Sequence, residues 1–147
     1  MLLVFPDSNR DRKDSRSLSS VDVSLINANN PALKGKKTRR HVHYCRSEGA
    51  HLARVETEEE MNFIKKEIDV LPGQYWLDGV DDVHEADWRW ASTFSKISSS
   101  FWYPGEPNQA SHSEDCMETA SRYHGLWNDE ECSDRQYSIC EKETLSL

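Results

Sequence analysis

The clearest pattern of apolar and polar positions lies between residues 57 and 73. The apolar positions recur at helical spacing, and they are Met61, Phe63, Ile64 and Ile68. Thr57 and Glu60 have the spacing of a capping box at the start of the pattern. Pro72 follows the last apolar turn and ends it. The segment is therefore predicted to be a helix that begins after Thr57 and turns its apolar stripe toward the core.

The remaining elements are predicted to be shorter. A first helix is predicted over residues 38–48, ended by Gly49. After Gly73 the chain is predicted to consist of strands and loops. The predicted strands of the whole chain are residues 21–26, 51–55, 75–80, 88–91, 115–120, 126–127 and 137–141. Residues 92–109 form a long loop region, and loops of that length are usually functional.

The two ends of the chain are predicted to lie outside the folded domain. Residues 1–37 are polar, with Phe5 as their single aromatic residue. They are predicted to be a divergent segment that is disordered, weakly attached or not native to the domain. Residues 143–147 are predicted to be a C-terminal tail. The apolar run over residues 1–5 is too short for the hydrophobic region of a signal peptide, so we expect the signal upstream or a different native start.

Charge is distributed unevenly along the 147 residues, whose net formal charge is −8. Residues 1–44 carry nine Lys and Arg against four Asp and Glu, a net of +5, whereas residues 45–147 carry a net of −13. The overall sign argues against nucleic acid as the main partner. No apolar run is long enough for membrane insertion. The acidic excess is either a solvated surface or a set of carboxylates that face a bound cation, for which Ca²⁺ is the natural choice.

Four cysteines, all in the acidic part of the chain, indicate two disulfides. The absence of a C-x-x-C pair argues against a zinc ribbon or a thioredoxin-like motif. An even number of cysteines in a small domain is typical of an oxidising compartment. The four are Cys45, Cys116, Cys132 and Cys140. Their spacing alone leaves all three connectivities open.

Oxygen-bearing side chains are concentrated after residue 105. The first two flank a proline, and a cis peptide bond before that proline would bring them together. The third follows eight residues after the first, and the last two come directly after a tryptophan. The five residues are Glu106, Asn108, Glu114, Asn128 and Asp129. Three carboxylates and two amide oxygens make a hard-oxygen set suited to Ca²⁺.

These motifs resemble those of the C-type lectin-like domain in its four-cysteine form. The resemblance runs from about residue 38 to residue 142, and the order and spacing of the motifs are those of the family. The matching stretches are YCRSEGAHLARVET (44–57), YWLDGVDD (75–82), WRW (88–90), EPN (106–108), EDC (114–116), WND (127–129) and YSICE (137–141). The YWLDG and DWRWAS stretches resemble invertebrate lectins, including perlucin-like shell proteins.

The resemblance implies an α+β fold, the C-type lectin-like fold, with two helices, small antiparallel sheets and a long calcium-binding loop. It implies the disulfides Cys45–Cys140 and Cys116–Cys132. The implied ligands of a sugar-binding Ca²⁺ are Glu106, Asn108, Glu114, Asn128 and Asp129. EPN, rather than QPD, resembles the mannose-type motif of the family. The implied partners are glycans with equatorial 3- and 4-hydroxyls: mannose, N-acetylglucosamine, glucose and, through equivalent hydroxyls, fucose.

A second, accessory calcium site is partly present. The resemblance places Asp81, Glu85 and Asp115 there, with Glu114 beside them. Where the family has a further acid, directly after the EPN motif, this chain has Gln109. One carboxylate is therefore missing, and we expect this site to be weak or empty. The alternative is that Asp81 and Asp82 are ordinary surface turn residues.

The resemblance is weakest at the N-terminal end. The first helix of the family normally carries a Trp and an Ala where this chain has Thr38 and His41. The strand that pairs with the C-terminal strand has no counterpart unless residues 21–26 supply it, and an unpaired strand edge is unfavourable. His41, His43 and His51 are expected to be surface residues, because no acid or cysteine stands at a spacing that would complete a zinc site.

The resemblance implies a secreted, extracellular carbohydrate-binding module of the kind that serves innate recognition or agglutination. No nucleophile-elbow motif is present, and the domain is expected to catalyse nothing. The alternative is an extracellular matrix or biomineralisation-associated structural protein with the same fold, and retention of all five principal ligands favours the lectin. Single lectin sites are shallow and gain avidity by clustering, for which a homo-oligomer is one route.

Overall fold

A computed structural model describes residues 21–26 and 38–143. These described residues form two α-helices and seven strands, and the last five strands follow the second helix. The helices are α1 (Thr38–Ser47) and α2 (Glu58–Val70). The strands are β1 (Val21–Ile26), β2 (His51–Leu52), β3 (Gln74–Val80), β4 (Arg89–Trp90), β5 (Cys116–Ala120), β6 (Trp127–Glu130) and β7 (Tyr137–Glu143). Both predicted helices are confirmed, and neither has the length and apolar character needed to cross a membrane.

The strands form one mixed sheet in the order β1-β7-β3-β5-β6, with β2 added to β7 and β4 added to β3. The ladders are antiparallel, as predicted, except where β3 runs parallel to β7. That parallel pair joins the antiparallel ladders on its two sides. The fold is therefore the α+β C-type lectin-like fold that the sequence predicts.

The strand β1 supplies the partner that the C-terminal strand requires. All six of its residues pair antiparallel with β7, from Val21 opposite Glu143 to Ile26 opposite Ser138. The prediction of a strand over residues 21–26 is confirmed, and this part of the N-terminal segment is attached to the sheet. The predictions for residues 1–20, 27–37 and 144–147 lie outside the described residues.

The helix α2 has the start and the buried face that its sequence predicts. The Thr57 hydroxyl accepts a hydrogen bond from the Glu60 N–H at 3.2 Å, and the Glu60 carboxylate accepts one from the Thr57 N–H at 3.1 Å. This reciprocal pair satisfies two donors at the helix N-terminus. Met61, Ile64 and Ile68 are buried, and Phe63 packs partly against the same core.

Aromatic rings connect the core to the long loop over residues 92–109. Trp127 is fully buried and meets Trp90, Phe101 and Trp102 edge to face. The Trp127 N–H donates to the Phe101 carbonyl at 2.8 Å, and the Tyr103 N–H donates to the Trp127 carbonyl at 2.9 Å. Edge-to-face aromatic pairs add stability beyond the area they bury. The loop is therefore held against β6 immediately before the Asn128–Asp129 pair.

Two disulfides cross-link the domain, one between its first helix and its last strand and one between β5 and the chain after β6. Cys45 in α1 is bonded to Cys140 in β7, and Cys116 in β5 is bonded to Cys132 just after β6. The pairing implied by the family resemblance is therefore confirmed. Bridges that close loops of these lengths typically stabilise a domain by about 2–4 kcal/mol each.

The expectation of surface positions is wrong for His41. This residue is 1% exposed because it lies on the face of α1 that packs against β7, where its Nδ1 hydrogen-bonds with the Ser138 hydroxyl. Burial lowers the pKa of His41 from 6.5 to about 4, because a charged imidazolium loses its hydration there. His43 is exposed, as expected, and His51 is half-buried.

The burial of His41 makes stability depend on pH. Its pKa is lowered in the folded state, so its contribution is fully present above pH 6.5 and is lost as the pH falls through 6.5 toward 4. His41→Gln keeps a hydrogen-bonding side chain beside Ser138 but has no proton to gain. We expect urea unfolding to show wild type losing about 3 kcal/mol more than the variant between pH 7 and pH 4.

The comparison with the variant isolates His41 from other buried groups. Burial raises the pKa of Glu141, which contributes to stability with the opposite sign over the same range. That contribution is common to both proteins and cancels in the difference. Parallel stability curves for wild type and His41→Gln between pH 4 and pH 7 would contradict the assignment.

Candidate functional site

The five predicted ligands come from the long loop, the segment that follows it and the strand β6. Asn128 and Asp129 stand in β6 directly after the buried Trp127, and both are almost fully buried. The strand is predicted over residues 126–127 but extends from Trp127 to Glu130. The backbone of Asn128 and Asp129 is therefore held in the sheet. Met117 and Glu118 of β5 pair with them.

The carboxylate of Asp129 ties the loop to β6. Its Oδ1 accepts a hydrogen bond from the Asn108 N–H at 3.1 Å, and its Oδ2 accepts one from the Gln109 N–H at 2.8 Å. Asp129 is only 1% exposed. Both backbone donors therefore point at a buried negative charge, and hydrogen bonds to charged groups are the stronger class.

Glu106 and Asn108 converge across Pro107, as the sequence predicts. The Glu106–Pro107 peptide bond is cis. The Asn108 Nδ2 donates to Glu106 Oε1 at 3.0 Å, while the Asn108 Oδ1 accepts from the Ala110 N–H at 2.9 Å. The second oxygen of Glu106, Oε2, is buried and accepts no hydrogen bond.

Glu114 approaches the same loop from its C-terminal side. Its Oε2 accepts a hydrogen bond from the Ala110 N–H at 2.7 Å, and the residue is 8% exposed. The Ala110 N–H is thus shared between Glu114 and Asn108. Four of the five predicted ligands, Glu106, Asn108, Glu114 and Asp129, are therefore gathered around residues 106–110.

The fifth predicted ligand, Asn128, makes a different contact. Its Nδ2 donates to Glu118 Oε1 at 2.9 Å, and Glu118 is fully buried. The same carboxylate oxygen accepts from Arg122 at 2.9 Å. With its nitrogen held by Glu118, the amide of Asn128 has its oxygen left for another partner.

Glu118 is the site residue that sequence reasoning missed. Its place opposite Asn128 follows from the register between β5 and β6, which the linear sequence does not specify. The sequence contains one indication of this contact: Arg122 follows Glu118 by four residues, a spacing that predicts an ion pair only on a helix. In this structure, the ion pair joins Glu118 in the middle of β5 to Arg122 in the 3-10 turn Ser121–Tyr123.

Burial and the crowding of like charges together make ionisation of the cluster unfavourable. Burial, the close approach of the Asp129 carboxylate and the charge of Glu114 together raise the pKa of Glu106 to about 7. Burial and the charges of Asp129 and Glu130 also raise the pKa of Glu114. Each carboxylate makes ionisation of its neighbours less favourable. A cation placed among them would reverse that effect.

The donor set fits a hard cation such as Ca²⁺. It consists of carboxylate and amide oxygens, and one of them, Glu106 Oε2, is a buried acceptor without a hydrogen-bond donor. Within the described residues, no three acidic, histidine or cysteine side chains already converge on one point as metal ligands do. Backbone N–H groups instead donate to the oxygens of Asp129 and Glu114.

Asp81, one of the predicted accessory ligands, is 4% exposed, and its N–H donates to the Asp115 carbonyl at 3.2 Å. Its Oδ2 accepts from the Ala86 N–H at 3.0 Å, and its Oδ1 is buried without a partner. Burial, together with the charges of Glu85, Asp115 and Asp129, raises the pKa of Asp81 to about 6. Asp81 is therefore a buried residue, and the alternative of a surface residue is wrong for Asp81, whereas Asp82 is exposed.

Solved structures of C-type lectin domains have the same fold as this chain. The carbohydrate-recognition domain of the mouse scavenger receptor C-type lectin has a TM-score of 0.70 and 26% identity, over 84% of this chain and 90% of that chain. The C-type lectin domain of murine dendritic cell inhibitory receptor 2, solved in complex with an N-glycan, has a TM-score of 0.69 and 27% identity, over 85% and 92%.

Curated relatives match the same part of the chain. C-type lectin domain family 17, member A, of Homo sapiens is 38% identical over 99 residues, which are 67% of this chain and 25% of that protein. E-selectin of Oryctolagus cuniculus is 32% identical over 102 residues, 66% of this chain and 18% of that protein. The chain thus spans a quarter or less of these relatives. The family model of the lectin C-type domain matches residues 34–142, and the chain belongs to that family.

Proposed function

We propose that this domain is a calcium-dependent carbohydrate-binding module that recognises mannose-type glycans and catalyses no reaction. The observation that carries the proposal is the cluster of buried, mutually repelling carboxylates with the unpartnered Glu106 Oε2 among them. A structural role on the same fold would not require acids to be held together at this cost. Membership of the lectin C-type family supports carbohydrate as the ligand class.

The proposed ligands of the ion are Glu106, Asn108, Glu114, Asn128 and Asp129. When bound, Ca²⁺ accepts two neighbouring sugar hydroxyls as ligands in place of water. The carboxylates of Glu106 and Glu114 would accept hydrogen bonds from those hydroxyls. The amides of Asn108 and Asn128 would donate to them through the second N–H of each NH₂ group, since the first is directed at Glu106 and Glu118 respectively. One hydroxyl is served by the Glu106 and Asn108 pair, and the other by the Glu114 and Asn128 pair.

Preference for equatorial 3- and 4-hydroxyls is the finer part of the proposal. It rests on the EPN motif, whose order of carboxylate and amide sets which side of the ion accepts and which side donates. The contact between Asn108 Nδ2 and Glu106 Oε1 supports this pairing, because it holds the donor and the acceptor side by side. Mannose, N-acetylglucosamine, glucose and fucose are the monosaccharides with a matching pair of hydroxyls.

We also propose that the protein acts outside the cell. The domain contains two disulfides, and such bridges form and persist in oxidising compartments. A shallow sugar site binds one monosaccharide weakly, so recognition of a glycan-coated surface would use several copies of the domain.

Retention on mannose-agarose tests the function directly. We expect the protein to bind the resin in Ca²⁺ and to elute with EDTA or free mannose, because the ion is a ligand of the sugar itself. Asp129→Asn should abolish retention, whereas Glu59→Gln, which removes the same charge from the exposed start of α2, should not. Retention in excess EDTA would overturn calcium dependence, and no retention by a calcium-loaded protein would favour the structural alternative.

Stability without calcium tests the charge crowding. The pKa of Glu106 is raised from 4.5 to about 7 in the folded state. Without metal, this residue therefore lowers stability as the pH rises from 4.5 through 7, and the full loss is present above pH 7. At pH 8 in EDTA, we expect Glu106→Gln to stabilise the domain by about 1 kcal/mol, a value reduced for solvent screening.

With calcium present, the sign of the effect should reverse. The Glu106→Gln variant should gain less stability from Ca²⁺ than wild type, because it has lost a ligand. Thermal unfolding of wild type, Glu106→Gln and the Glu59→Gln control measures both quantities. Equal destabilisation by Glu106→Gln in EDTA and in Ca²⁺ would show that burial and repulsion do not penalise the charge of this residue.

Exchange of carboxylate and amide tests the sugar preference. The double substitution Glu106→Gln with Asn108→Asp keeps the charge of the site but reverses the donor and the acceptor beside Pro107. Since galactose has an axial 4-hydroxyl, preference should shift from mannose toward galactose by about 1–2 kcal/mol, a modest value because Asn108 is exposed and Glu106 is only half-buried. Competition by both sugars against one immobilised glycan measures the shift. An unchanged mannose preference in a variant that still binds Ca²⁺ would contradict the mechanism.

A further inference from the structure

The side chain of Gln109 connects two acidic segments that lie far apart in the chain. Its Nε2 lies 3.0 Å from the Glu114 carbonyl and 3.4 Å from Asp81 Oδ2, and its Oε1 accepts from the Glu114 N–H at 3.3 Å. Its own backbone N–H donates to Asp129 at 2.8 Å. One half-buried glutamine thus contacts the turn at Asp81, the segment at Glu114 and the strand β6.

The partners of Gln109 determine which way its amide points. Two acceptors, a carboxylate oxygen and a backbone carbonyl, face its nitrogen, while a backbone N–H faces its oxygen. The reversed orientation would place oxygen against oxygen and leave all three groups unsatisfied. The side of Gln109 that faces the acid Asp81 is therefore a hydrogen-bond donor.

A donor at this position does not fit a second cation. The predicted accessory ligands are Asp81, Glu85 and Asp115, and a cation among them requires oxygens directed at it. The Asp81 Oδ2 is already directed at the Gln109 amide and the Ala86 N–H. Asp81 Oδ1 is buried without a hydrogen-bond donor, but a cation held by both oxygens of Asp81 would have to displace both donors on Oδ2. It would also meet the neutral amide of Gln109 where a carboxylate is needed.

We propose that Gln109 takes the place of the accessory cation. Its carboxamide joins the Asp81 turn to the Glu114 segment, so the domain binds one Ca²⁺ rather than two. The loop is then shaped by hydrogen bonds before any ion arrives, and sugar binding depends on the first power of the calcium concentration. This inference rests on the proposed function for the first ion but makes its own claim about residue 109.

Calcium stoichiometry tests the proposal. Isothermal titration with Ca²⁺ should give one site in wild type, and Gln109→Glu should add a second, because its carboxylate would face Asp81 and the Glu114 carbonyl and require a cation between them. Asn62→Asp, which adds the same charge on the exposed face of α2, should remain at one site. Two sites in wild type, or one site in Gln109→Glu, would overturn the inference.

A calcium-free measurement separates this inference from the proposed function. In EDTA, Gln109→Met keeps the length of the side chain but loses its hydrogen bonds. We expect its Tm to fall by about 4 °C and the Glu114 amide to exchange about fivefold faster than in wild type. An unchanged Tm and exchange rate would overturn the link. If wild type bound no Ca²⁺ at all, the proposed function would fail, and this measurement alone would decide the role of Gln109.

Discussion

The buried carboxylate of Asp129 is the contact on which the site depends. It accepts the backbone N–H groups of Asn108 and Gln109 and so fixes the segment after Pro107 against β6. Asp129 is itself held in place because Trp127, two residues earlier, is fully buried among the core aromatics. The hydrophobic core thereby determines where the loop can stand. Glu106, Asn108 and Glu114 are placed relative to that anchored segment.

The same anchor concentrates negative charge, and the domain compensates for that in several ways. Amide groups satisfy Asp129 and Glu114, Asn108 donates to Glu106, and Arg122 offsets the charge of the buried Glu118 behind Asn128. Gln109 adds a neutral donor where another acid would have increased the repulsion. The disulfide Cys116–Cys132 holds β5 to the chain after β6, so the strands that carry these charges do not separate. The oxygen left without a hydrogen-bond donor is Glu106 Oε2, and the proposed calcium site rests on it.

Much of the fold was predictable because its signals are local. The capping box of Thr57 and Glu60, the apolar stripe of α2 and the convergence of Glu106 with Asn108 each depend on residues a few positions apart. The disulfide pairing was not local, and spacing left it open. Only the resemblance of the motifs to the C-type lectin-like domain selected one connectivity, which the structure confirms.

The sequence by itself determined which side chains are available: a hard-oxygen set, an even number of cysteines and the start of α2. Tertiary structure alone decided which of them meet. Glu118 reaches Asn128 through strand register, Gln109 reaches Asp81 across 28 residues, and His41 is buried because α1 packs its face on β7. Register and packing are properties of the whole sheet. A shift of strand register by one residue moves every side chain of that strand to the opposite face. No local pattern of residues carries that information.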